Sequence, residues 1–190
     1  MRAPTPRRLN VPKSARQPQG LQPHLEAAER YARQVATKLG LPPPLVEAVA
    51  LAARRHDSGK RRAVWQRSIG NIDYPQRVLA KSGGGMRPTE LSHYRHEFGS
   101  LVEAEAEFRG HSERDLILHL IAAHHGRGRP HFPIDEAFDP DHPEARCAEV
   151  ARAVPQRYAR LQRRFGRWGL AYLESLLRAA DYLASEGAAG

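Results

Sequence analysis

The stretch LVEAVALAARRHD (45–57) decides the fold. Its apolar side chains recur at the three- and four-residue spacing of a helix. Leu45, Val49 and Ala52 form one row that ends at His56, and Val46, Ala50 and Ala53 form the next, which ends at Asp57. A helix with this pattern turns both polar residues inward. A carboxylate withdrawn from water needs a cation or strong hydrogen-bond donors beside it. By itself the pair reads equally well as a helix end facing solvent ahead of Gly59.

Helical spacing also fills the chain on either side. Leu25, Ala28, Ala32, Val35 and Leu39 predict a helix over 24–39, stopped by Gly40 and the run Pro42-Pro43-Pro44. A short helix is expected over 62–69, then a loop containing Gly83-Gly84-Gly85, then a helix over 94–109. The next helix is expected to start at Ser112, with Asp115 completing a capping box, and to end at His125 before Gly126. After a Pro/Gly-rich loop over 126–143, helical pattern resumes, is expected to break near Pro155, and runs to about Ser185. Neither an alternating strand pattern of useful length nor an internal repeat is present. The expectation is an all-α domain over 23–190, preceded by a flexible basic tail or linker over 1–22 that is rich in Pro, Arg and Gln. At 190 residues with 41% hydrophobic content, one such domain can bury a core.

The pattern of an apolar face closed by a polar residue repeats. His124 continues Ile117, Leu120 and Ile121, and His125 continues Leu118 and Ile121; Asp181 continues Leu170, Leu173 and Leu177. His24 shares a face with Ala28, Tyr31 and Val35, and His96 leads the row Leu101, Ala104, Phe108. Any one of these is equally well a satisfied core histidine or a capping acid. Five separate segments with this feature point to a site between helices. Imidazole with carboxylate is the ligand chemistry of first-row transition metals, and seven such side chains suffice for two ions. The single cysteine, Cys147, excludes a cysteine-based zinc finger and an intramolecular disulfide framework, and fits a reducing cytoplasm. No apolar run approaches 18 residues and no signal-peptide pattern opens the chain, so a cytoplasmic protein without a membrane partner is expected.

Thirty basic against 21 acidic residues give a net charge of +9, which favours polyanionic partners. Arginine use alone accounts for such a balance too, and Arg2, Arg7, Arg8, Lys13 and Arg16 place part of the excess before the first acid.

With these residues in view, the chain resembles the HD superfamily of metal-dependent phosphohydrolases, an all-α family with the pattern H…HD…D. His24, His56, Asp57 and Asp181 follow that order. RHDSGK (55–60), YRHEFGS (94–100), IAAHHG (121–126) and RAADYLAS (178–185) are similar to the HD nuclease domain of the type I CRISPR-associated nuclease–helicase, and most of all to its type I-U branch. The resemblance spans about residues 24–185. It implies one ion held by His24, His56, Asp57 and Asp181, and a second bridged by Asp57 and completed by His96, His124 and His125. It implies divalent Mn, Fe, Co or Ni, a single-stranded DNA substrate in antiviral defence, and a helicase domain or subunit and the CRISPR surveillance complex as partners. Lys60 falls where the family places a phosphate-contacting lysine, so Asp57 and Lys60 are the expected catalytic residues. Arg54, Arg55, Arg61, Arg62 and Arg67, clustered around the motif, are expected to guide DNA; a merely solvated basic face is the competing reading. His93, His111, His119, His131 and His142 match no motif position and are expected to be structural or surface residues. No Walker-type phosphate loop is present, so ATP-driven unwinding is not expected of this chain.

A metal ion lowers the pKa of its water to about 7, and two ions can clamp a scissile phosphate. Lys60 would then neutralise charge that grows on the phosphate during attack. The main alternative is an HD-superfamily nucleotide or cyclic-nucleotide phosphohydrolase, which has less need of His96, His124, His125 or the basic charge. The other is a catalytically inactive module that only binds nucleic acid.

Overall fold

A computed structural model describes residues 17–186. The expected all-α architecture is present, with six α-helices among the described residues: α1 (Leu21–Lys38), α2 (Pro43–Arg55), α3 (Ala63–Ser68), α4 (His96–Glu107), α5 (Arg114–Ala123) and α6 (Glu144–Glu186). Helix α1 packs on α2 and α6, and α5 packs on α2, α4 and α6. The core between them is built from Ala28, Ala32, Val49, Ala52, Leu101, Ile117, Leu120, Ile121, Leu173 and Leu177. Small alanines on α1 and α2 let these two helices approach closely, which brings their polar ends together.

The breaks between helices have local causes. Helix α1 ends in a Schellman turn: Gly40 takes φ +71°, its N–H donates to Thr37 O at 3.0 Å, and the Leu41 N–H donates to Ala36 O at 3.1 Å. Pro43 opens α2 at a position where its missing N–H costs nothing. Gly126, at φ +80°, turns the chain away from α5, with its N–H on Ala123 O.

Four expectations need correction. Gln19–Gly20 pairs antiparallel with Leu79–Lys81 as a small β ribbon, strands β1 and β2, too short to carry any periodicity. Of the tail expected over 1–22, residues 1–16 lie outside the described residues, and the last part does not fit the expectation: Gln19–Gly20 is paired, and Leu21, at the start of α1, is buried with Leu25 and Ala80. Helix α5 begins at Arg114, and neither Ser112 nor Asp115 caps it; Asp115 pairs with Arg160 at 2.7 Å instead. The last helix does not break at Pro155, which is exposed, so the carbonyl its ring leaves without a donor is open to water. It kinks at Gly166, whose φ of 69° and ψ of 174° only glycine adopts readily. No helix among the described residues is long and apolar enough to cross a membrane.

Candidate metal centre

His56 follows directly on α2 and Asp57 begins the 3-10 turn Ser58–Arg61, so both stand where the helix runs out of hydrogen-bond partners. The His56 Nδ1 donates to Ala53 O at 2.7 Å. A carbonyl can only accept, so the proton sits on Nδ1 and the lone pair of the neutral ring sits on Nε2. That buried Nε2 has no hydrogen-bond partner. It faces two carboxylate oxygens, Asp57 Oδ2 at 3.4 Å and Asp181 Oδ1 at 3.6 Å. His24 Nε2, from the first turns of α1, faces the same oxygens at 3.4 and 3.2 Å.

The other Asp57 oxygen looks the opposite way. Oδ1 lies 3.1 Å from His96 Nε2 and 3.6 Å from His124 Nε2, and these two nitrogens are 3.3 Å apart. His124 repeats the arrangement of His56: its Nδ1 donates to Ile121 O at 2.7 Å, which directs the Nε2 lone pair into the cluster. His125, the one exposed member, joins this group.

Two sets result: His24, His56, Asp57 and Asp181, and Asp57, His96, His124 and His125, each able to hold a metal ion. Ligands about 2.1 Å from a common ion stand about 3.0–3.5 Å apart in octahedral or tetrahedral arrangements. The observed separations, 3.1–3.6 Å, run from within that range to just above it. Buried lone pairs that face one another without a donor are costly unless a cation lies between them. Donor type, spacing and orphaned atoms therefore all fit a metal. All seven residues expected from the sequence are brought together.

Electrostatics follow from the crowding. Burial alone would raise the Asp57 carboxyl, yet the surrounding His56, His124 and His24 imidazoles and the Lys60 ammonium hold it well below the carboxylate range. Asp181 is likewise held low against burial by His24 and His56. Burial works to lower His24, but its two carboxylate partners raise it. His96 is lowered chiefly by burial, and His125 is pushed down to about 3 by burial and by the charges of His124 and His96.

Lys60 is buried, with Nζ 2.5 Å from Asp57 Oδ2 and 5.1 Å from the centre of the Trp65 ring. It stands at the first cluster on the oxygen shared with His24 and His56. Gly59 sets the distance between the clusters. Its N–H donates to Ser100 Oγ at 2.8 Å, and the Tyr94 hydroxyl donates to its carbonyl at 2.8 Å, clamping the 3-10 turn against the start of α4 where His96 lies.

No family model, curated protein or solved structure matches the chain.

The arginines divide. Arg62 is buried, bonded to both oxygens of Asp139 at 2.7 and 2.6 Å and to Glu103 at 2.6 Å. It is a structural ion pair and leaves the set expected to guide DNA. Arg54 pairs with Glu29 at 3.0 Å, Arg55 with Glu107 at 2.7 Å, and Arg61 more loosely with Glu103 at 3.8 Å. Arg67 is exposed and makes no ion pair among the described residues. The five unmatched histidines enter neither cluster; His119 is bonded to Glu174 at 2.8 Å and His142 to Asp139 at 2.9 Å.

Sequence reasoning missed Glu97 and Trp65. Glu97, buried beside His96 with Oε2 3.3 Å from Nδ1, is held at about 2 against burial by His96 and His124. Its Oε2 faces the imidazole from the side away from Asp57 without making a hydrogen bond to it. An acid directly after a candidate ligand was the available signal. Trp65 packs edge-on to His96, with ring centroids 4.6 Å apart, and nothing in its sequence neighbourhood marks it.

Proposed function

We propose that this protein is a two-metal phosphodiesterase of the HD type that hydrolyses single-stranded DNA. The observation that carries this reading is the Asp57 carboxylate, which presents one oxygen to each of two histidine clusters. A bridging carboxylate between two imidazole-rich sites is the arrangement that two-metal phosphoryl hydrolysis uses. Divalent Mn, Fe, Co or Ni suits the five imidazoles better than Mg²⁺, and such ions would supply an activated water and charge neutralisation at the phosphate.

The chain's own groups do the rest. Lys60 holds an ammonium at Asp57 within reach of a phosphate seated on the clusters, and stabilises the charge that grows there. Glu97 places a negative charge beside the outer nitrogen of His96. The buried Trp65 ring, packed against His96 and beside Lys60, helps exclude bulk water. His125 and Asp181, the more exposed members, mark the side from which substrate enters. The net charge of +9 favours a polyanionic substrate over a mononucleotide. A role in CRISPR interference, beside a helicase domain or subunit and the surveillance complex, rests on the motif resemblance.

The test is metal-stripped protein incubated with end-labelled single-stranded and duplex DNA, and with nucleoside triphosphates, each divalent ion being added back. Cleavage of the single strand with Mn²⁺, Co²⁺, Ni²⁺ or Fe²⁺ is expected. Turnover of mononucleotides alone, or equal activity with Mg²⁺, overturns the reading.

A further inference from the structure

Beyond the metal centre, the segment of α6 after the Gly166 kink carries all three exposed aromatic side chains among the described residues. Trp168 is 84% exposed, Tyr172 46% and Tyr182 63%. With Ser175 and Ala179 they fall at i, i+4, i+7, i+11 and i+14, one continuous face of the helix. The face is about 21 Å long, at about 1.5 Å per residue. Its opposite side, with Leu170, Leu173, Leu177 and Ala180, is committed to the core, so the aromatics are surplus to folding.

Two further features give the face a direction and a charge. Tyr182 directly follows Asp181, a member of the first cluster, so one end of the face adjoins the candidate metal centre. Arg167 and Arg178 lie along it, exposed and without an ion pair among the described residues. No acidic side chain is exposed between them; Glu174 is buried and bonded to His119 and Arg129.

We propose that this face is a stacking track for single-stranded nucleic acid, leading a strand along α6 to the metal centre. It rests on the phosphodiesterase reading, since it names what brings substrate to that site. Flat side chains spaced along a basic groove recognise unpaired bases whatever their identity, because every base offers a π-face while arginines hold the backbone. A protein-docking face would instead gather aliphatic residues into a contiguous patch; here Leu183 is the only large aliphatic side chain exposed on the segment, and Ser175 and Ala179 separate the rings. Duplex DNA offers no unstacked base and gains nothing from the track.

The experiment uses the full chain, with chelator present so that binding is read without cleavage. Trp168 emission and oligothymidylate affinity are followed as strand length increases. Trp168 is one of only two tryptophans and Trp65 is buried, so Trp168→Phe assigns the signal. Single strands are expected to quench Trp168 while a duplex does not. Trp168→Ala and Tyr182→Ala should each weaken long-oligonucleotide binding by roughly five-fold or more, as for loss of one stacked base. Unchanged affinity with unquenched Trp168 overturns the track and assigns the face to a protein partner. Hydrolysis of bis(p-nitrophenyl) phosphate by the wild-type chain with Mn²⁺, run in parallel, reports the metal chemistry alone. If that hydrolysis fails while quenching persists, the phosphodiesterase reading falls and the track belongs to a binding module.

Discussion

Replacing Gly59 with alanine should detach the two halves of the metal centre from each other. A Cβ built there lies 2.2 Å from His96 O, 2.8 Å from Ser100 N and 2.9 Å from the Tyr94 hydroxyl. The first two obstacles are backbone, which no rotamer change can move. Relief requires the 3-10 turn and α4 to separate by about 1 Å, since an ordinary carbon contact lies near about 3.5 Å. Overpacking of this kind costs about 1–3 kcal/mol, and the two buried hydrogen bonds at Gly59 add about 1 kcal/mol each if lost. A total of roughly 3–5 kcal/mol corresponds to a fall in Tm of roughly 6–20 °C for a domain of this size. His96 moves with α4, whereas His24, His56 and Asp181 are held from α1, α2 and α6. Gly59→Ala should therefore weaken the His96 cluster's metal affinity before that of the His24 cluster. Calorimetric melting and Mn²⁺ titration of the two proteins provide the assay. A wild-type Tm together with two unchanged binding steps would refute this account of the glycine.

Arg62→Met should cost about 3–5 kcal/mol, because it leaves Asp139 buried without its bidentate partner, and it should not change the salt dependence of DNA binding. Burial pushes Asp139 up, but hydrogen bonds from Arg62 outweigh this and depress its pKa below the unfolded value of about 3.9. The contribution is thus complete above that pH and is lost as pH falls through the folded-state pKa, so urea melts of the variant should show a smaller loss of stability on acidification than the wild type. Lys60→Ala should lower single-turnover cleavage by roughly 10²–10³-fold at saturating DNA, with metal stoichiometry unchanged; recovery of full rate at high DNA concentration would reduce Lys60 to a binding residue.

The parts of this molecule that could be read from sequence are those where polarity contradicts a helical face. His56, Asp57, His124 and Asp181 each end an apolar row, and a helix of 3.6 residues per turn fixes where such a row points. Arg62 could not be read the same way: a buried and a solvated arginine look alike in a basic stretch, and Asp139, which decides between them, is 77 residues away. Pro155 and Gly166 show the limit of local punctuation. Proline on a solvent face leaves a carbonyl that water can serve, while a glycine at positive φ takes the chain out of the helical conformation and kinks it. The β ribbon was invisible because two or three residues cannot show a period.

Metal content tests the bridging role of Asp57 most directly. The chelator-treated chain, dialysed against Mn²⁺ and examined by elemental analysis and low-temperature electron paramagnetic resonance, should take up two Mn²⁺ whose spins are coupled through a shared ligand. Asp57→Asn should lose that coupling along with at least one ion. A single ion, or two uncoupled ions unaffected by Asp57→Asn, would contradict the account.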